Sequence, residues 1–139
     1  MFFGRYSQTL DEKNRLRIPK EFRNKLGNDI VIGRGIYGCL FIYPSETFEK
    51  LFGELYSIDT FDVEKEQAMT TFLSSYYAPE IDSQGRIIIP KDLKALANIK
   101  KNVVTRGGRY RIEVWDEEAL KKVEEKVEPQ IIDILARKG

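Results

Sequence analysis

The chain has 139 residues, the size of one domain, with 42% hydrophobic and 32% charged side chains and a net charge of +1. No run approaches the ~20 apolar residues of a membrane span. Histidine is absent and Cys39 is the single cysteine, which excludes histidine-based acid–base and zinc chemistry and an internal disulfide. The start, Met1 to Tyr6, lacks the basic, apolar and cleavage regions of a signal peptide, so a cytoplasmic protein with no membrane partner is expected.

In chain order, Tyr6–Leu10 and Arg15–Ile18 read as short strands around the turn Asp11-Glu-Lys-Asn14. Asn14 tolerates the positive φ such a turn needs, and Asp11 can accept hydrogen bonds from its amides. Pro19 stops the second strand and suits the first position of a short helix over Lys20–Leu26. Strands at Asp29–Gly33 and Cys39–Tyr43 follow, joined by a glycine-containing turn. Ser45 is an expected N-cap for Glu46–Tyr56, where Phe48, Leu51, Phe52 and Leu55 recur at helical spacing. Asp62–Tyr76 is expected to be a connecting helix. The order then restarts: a strand at Tyr77–Ile81, a turn at Asp82-Ser-Gln-Gly85, a strand from Arg86, Pro90, and a helix over Lys91–Ala97. Strands at Asn102–Arg106 and Arg109–Trp115 lead to Asp116, an N-cap for a helix over Glu117–Lys126. Pro129 is expected to break that helix, leaving Gln130–Ala136 as a short amphipathic docking stretch.

The restart is a repeat. Asp11-Glu-Lys-Asn-Arg-Leu-Arg-Ile-Pro19-Lys20 returns as Asp82-Ser-Gln-Gly-Arg-Ile-Ile-Ile-Pro90-Lys91 at an offset of 71 residues, and Val31-Ile-Gly-Arg-Gly35 faces Val103-Val-Thr-Arg-Gly107 at 72. Two related units, 1–56 and 77–127, are therefore expected in one compact domain, with a connecting helix in 57–76 and a tail over 128–139. The charge follows the same division. Residues 1–43 hold eight Lys/Arg against four Asp/Glu and residues 81–115 eight against three, whereas 44–80 hold two against eight and 116–139 five against seven. The near-neutral total conceals two basic strand-rich regions, as a polyanion-binding protein requires.

Strand alternation turns Leu16 and Ile18 toward a core and leaves Arg15 and Arg17 projecting together. In the second unit Arg86 projects as Arg15 does, and Ile88 stands in the place of Arg17. Lys13, Lys20, Arg23 and Arg34 add charge to the first unit, Lys91, Lys94, Arg106, Arg109 and Arg111 to the second. Guanidinium groups bind phosphate bidentately and read guanine edges, and a two-stranded ribbon fits the major groove. The spacing of Asp11 to Arg15, and of Asp82 to Arg86, reads equally as an ion pair that closes a turn. An acid–base dyad of Asp11 with Asp82 is disfavoured, because each is followed by an arginine that keeps it ionised. Cys39 lies in an apolar strand pattern and reads as core. The turn glycines lack the terminal Lys-Ser/Thr of a phosphate loop. A non-enzyme without metal or cofactor is expected.

Asp-x-x-x-Arg followed by small apolar residues and proline, twice and about seventy residues apart, resembles the MraZ family, within the wider AbrB-type swapped-hairpin group. The opening Met1-Phe-x-Gly-x-Tyr6, the segment Gly38-Cys-Leu-Phe-Ile-Tyr-Pro44 and the Val114-Trp-Asp116 close add to the likeness, which runs to about residue 125. The resemblance implies an α+β fold: two pseudo-twofold-related, AbrB-like swapped-hairpin units forming one β-barrel core with flanking helices. It implies a transcriptional regulator that represses its own division and cell-wall operon. Its partners would be tandem repeats in double-stranded promoter DNA, bound in the nucleoid, and copies of itself in a ring-like homo-oligomer. It places DNA contact on Asp11 and Arg15 and on Asp82 and Arg86; the residues themselves add Lys13, Arg17, Lys20 and Lys91. An antitoxin-like protein, capturing a partner through its helices, is the alternative.

Overall fold

The computed structural model describes residues 1–56 and 62–138. Its elements run β1 (Arg5–Thr9), β2 (Arg15–Arg17), α1 (Lys20–Leu26), β3 (Ile30–Arg34), β4 (Leu40–Pro44), α2 (Ser45–Tyr56) and α3 (Val63–Leu73). The second half continues with β5 (Arg86–Ile88), α4 (Lys91–Leu96), β6 (Asn102–Gly107), β7 (Ile112–Asp116) and α5 (Glu117–Lys138). The ribbon strand, short helix, two strands and following helix read from the sequence recur in both halves, whereas the strand before the turn forms only in the first. Of the connecting segment expected at 57–76, residues 57–61 lie outside the described residues, and α3 occupies part of the rest, with Asp62 accepting from Lys65 N–H as its N-cap.

Pairing crosses between the repeats. The main sheet is ordered β1-β6-β7-β4-β3, all antiparallel, so that β1 of the first unit lies on β6 of the second and the central strands β7 and β4 meet across the middle. β2 and β5 form a separate ribbon, with Leu16 opposite Ile87 at its centre. Ile18 N–H bonds Gly85 O, and Ile89 N–H bonds Asn14 O, each at 2.9 Å. These are equivalent bonds on the two sides of a pseudo-twofold axis through the Leu16–Ile87 pair.

Two expectations are corrected. The expected strand Tyr77–Ile81 should lie on β3 as β1 lies on β6, yet only one bridge forms, Ile32 with Tyr77, through mutual bonds of 3.0 and 3.1 Å. Pro79, where the first unit has Gln8, has no N–H to continue the ladder. Among the described residues the sheet therefore stays open, backed by the ribbon, rather than closing into the expected barrel. Second, Pro129 does not end the last helix; α5 continues through it to Lys138.

Alternation along β4 and β7 gives both faces of the sheet a core. Leu40, Ile42, Ile112 and Val114 face Leu16, Ile18, Ile87, Ile89, Phe22 and Leu93 of the ribbon, α1 and α4. Phe41, Tyr43 and Trp115 face the other way, under Phe48, Leu51 and Phe52 of α2 and Leu120 and Val123 of α5. Central strands covered on both faces read as continuous apolar runs, as Cys39–Tyr43 does. Each of the fully buried large side chains contributes about 1.5–3 kcal/mol. Cys39 is in this second layer, and burial pushes its thiol up to about 12, which suits a packing role. Asp116 caps α5, its Oδ2 accepting from Ala119 N–H at 3.3 Å, while Ser45 instead donates its hydroxyl to Asp29 at 2.8 Å.

Candidate nucleic-acid interface

The turn before each ribbon strand is built by one aspartate. Asp11 Oδ1 accepts from the N–H groups of Lys13 and Arg15 at 3.0 and 2.9 Å, and its Oδ2 accepts from Arg15 Nε at 2.5 Å. Asp82 repeats the set: Gln84 and Arg86 N–H at 2.9 Å each, and Arg86 Nε at 2.8 Å. Asn14 and Gly85 hold the positive-φ position that completes each turn, at 58° and 74°. The backbone N–H of Arg15, and then its guanidinium, hold the Asp11 carboxyl below its ordinary value; Arg86 does the same to Asp82. Both carboxylates are thus anions at neutral pH, each fastened to its own arginine. That arrangement fits aiming a cation and disfavours proton sharing.

The ribbon carries the arginines outward. Leu16 and Ile87 point into the core, so Arg15, Arg17, Arg86 and Ile88 share the outer face. Arg15 faces Ile88 across the ribbon and Arg17 faces Arg86. Because Ile18–Gly85 and Asn14–Ile89 are the bonded positions, both facing pairs are non-hydrogen-bonded, where opposed side chains approach most closely. Like charges directly opposite are destabilising, and the Asp82 carboxylate on Arg86 offsets that cost for the Arg17–Arg86 pair. Arg17 Nη2 donates to Gln84 Oε1 at 3.3 Å. Arg15 and Arg86 are less free than projection from a strand implies: their side chains are 29% and 23% exposed. The ion pairs use Nε and leave the terminal Nη groups outside that bond.

Lys20 opens α1 and lines, with Tyr6, Gln8, Pro19 and the three arginines, a shallow groove beside the ribbon. Lys13 is exposed on the first turn; Lys91 is exposed at the equivalent start of α4, outside that groove. Four other cations of the basic set, Lys94, Arg23, Arg106 and Arg111, are engaged elsewhere. Lys94 Nζ donates to Asn14 Oδ1 at 2.8 Å, and the Arg23 guanidinium packs against Gly85. Arg106 and Arg111 turn to the far face of the sheet. There Arg106 Nε donates to the buried Glu113 at 2.9 Å, and Arg111 stacks 3.8 Å from the Phe41 ring centroid. Arg106 also meets Glu124, which pairs with Arg5 as well.

Sequence reasoning missed two supports of the ribbon. Gln8 exchanges both its amide groups with the backbone of Arg17, at 2.8 and 2.9 Å, and Tyr77 O–H donates to Ile88 O at 2.8 Å. Both fasten the outer edge of the ribbon strand that bears an outward residue. Their only trace in the sequence is their place in the repeat, just before each turn.

The family model described as "MraZ protein, putative antitoxin-like" matches the chain twice, over residues 1–71 and 72–138. Relatives named "Transcriptional regulator MraZ" align over most of the chain. The protein from Leuconostoc citreum is 40% identical over 118 residues, covering 85% of this chain and 82% of its own. That from Ligilactobacillus salivarius is 37% identical over 134 residues, 96% of this chain and 94% of its own. That from Clostridium beijerinckii is 37% identical over 118 residues, 85% and 83% respectively.

Proposed function

The chain belongs to the MraZ family, and from that membership we propose that it is a sequence-specific DNA-binding transcriptional regulator. The observation that carries the reading is the ribbon face. Three arginines stand on one two-stranded ribbon, two of them held by turn aspartates, and a ribbon of this width enters the major groove of B-DNA. In this reading Arg15, Arg17 and Arg86 meet base edges and phosphates, Lys13, Lys20 and Lys91 meet phosphates, and Asp11 and Asp82 aim their arginines. The regulator works in the cytoplasm, at the nucleoid, as a ring-like homo-oligomer. It represses its own division and cell-wall operon through tandem promoter repeats.

The test is a titration of the protein against DNA from immediately upstream of its own gene and against a scrambled duplex of equal length, at near-physiological salt. Tight binding to the first duplex alone supports the proposal. The Arg15→Ala/Arg86→Ala protein should then lose that binding while melting within a few degrees of the parent, since ion pairs whose carboxylates stay in contact with solvent add little stability. A large fall in melting temperature would assign the pairs a structural role instead.

A second reading, antitoxin-like capture of a partner protein, draws on one observation. Ile131, Ile132, Ile134 and Leu135 are 45–76% exposed on the distal part of α5. Equal, salt-sensitive binding to both duplexes would favour it.

A further inference from the structure

We propose that Ile88 is a specificity residue that packs on the 5-methyl group of a thymine in the major groove, an inference that rests on the DNA-binding reading above. Ile88 is 58% exposed, while its neighbours Ile87 and Ile89 are 1% and 0% exposed. It stands on the ribbon's outer face among three arginines, opposite Arg15, at the site where the first repeat has Arg17.

A surface built only to hold phosphates gains from a cation at this site and gains nothing from an isoleucine. The major groove, by contrast, presents one apolar group, the thymine methyl, beside acceptors that suit arginine. Ile88 is well placed to meet it. Its side chain is β-branched and stiff at χ1, and its carbonyl is fixed by the Tyr77 hydroxyl. Arg15 across the ribbon would engage the neighbouring phosphate or purine edge. The replacement also breaks the pseudo-twofold symmetry of the ribbon face. A symmetric quartet of arginines would read a site equally in either direction; three arginines and one isoleucine prefer one orientation.

The experiment compares the upstream duplex with the same duplex carrying deoxyuridine for thymidine, which removes the methyl groups and leaves base pairing intact. Wild-type protein should bind the uracil duplex about fourfold more weakly for each contacted thymine, the worth of one buried methyl. Ile88→Ala should bind the thymine duplex more weakly than wild type and be indifferent to the exchange. Ile88→Arg should also be indifferent, with a steeper salt dependence from about one added phosphate contact. The proposal is overturned if wild-type protein binds both duplexes equally, or if Ile88→Ala stays as sensitive as wild type. If wild-type protein does not distinguish the upstream duplex from a scrambled one, the DNA-binding reading itself fails and the inference falls with it.

Discussion

Asn14 and Gly85 occupy the same left-handed slot of the two turns, and each is matched by the cation above it. Over Asn14 the shorter Lys94 donates to the side-chain oxygen; over Gly85 the guanidinium of Arg23 fills the space a side chain would take, 1.7 Å from the position of an added Cβ. The matching predicts a coupled pair. Gly85→Asn keeps an acceptable backbone but displaces Arg23, and should cost about 1 kcal/mol. Adding Arg23→Lys should recover most of that by recreating the Lys94–Asn14 arrangement, and thermal melts of the two singles and the double measure the coupling. Additive losses would refute it. The turn aspartates make a second prediction. Their folded pKa values lie below the ordinary 3.8, so the stabilisation they bring is complete above that value and is lost as pH falls through the depressed values. With no histidine in the chain, the amide signals of Arg15 and Arg86 should hold constant from pH 8 to pH 5 and move only in stronger acid. Movement near pH 6 would contradict this account.

At the scale of elements, those defined by local chemistry were legible. The positive-φ turns, the proline-started helices α1 and α4, and the Asp116 cap each follow from a few adjacent residues. What was not legible depends on distant partners. The sequence places Arg106 and Arg111 in a basic strand region, and only β7 pairing with β6 and β4 brings Glu113, Trp115 and Phe41 to engage them. The pairing of β1 with β6, across the repeat, is likewise a tertiary choice. The lost strand at Tyr77–Ile81 was in plain sight, because Pro79 forbids the ladder that the repeat suggested. Pro129 misled in the other direction. A proline inside a helix removes one hydrogen bond and crowds the preceding turn, but α5 runs on with Ile131–Leu135 exposed. Pro129→Ala should therefore strengthen the distal helix by up to about 3 kcal/mol. Slower amide exchange over 130–137 with little change in melting temperature would show it, because these residues are exposed and add little to the buried core. Unchanged exchange would mean that Pro129 imposes no strain there.

The whole molecule presents one ribbon per chain, and that limits what one chain can hold. Three arginines and a few lysines make a handful of phosphate contacts, and charge alone gives a dissociation constant of roughly 10⁻⁴–10⁻⁶ M for non-specific DNA at physiological salt. A repressor needs more, and the proposed ring-like assembly supplies it without new contacts. Once one ribbon is seated on a promoter repeat, the next meets its own repeat at high effective concentration, raising overall affinity by about 10²–10⁴. The open sheet leaves the ribbon free to play this part. β2 and β5 are held to the body by the Leu16–Ile87 core pair and by edge bonds from Gln8 and Tyr77, so the outer face stays uncovered. Binding should collapse toward the non-specific range when the upstream DNA is cut to a single repeat, and should return when repeats are restored at their native spacing. Inserting about half a helical turn between repeats should also abolish the gain, because neighbouring ribbons would then face opposite sides of the duplex. Equal affinity for one repeat and for several would remove multivalency from the mechanism and place the whole of recognition on the single ribbon.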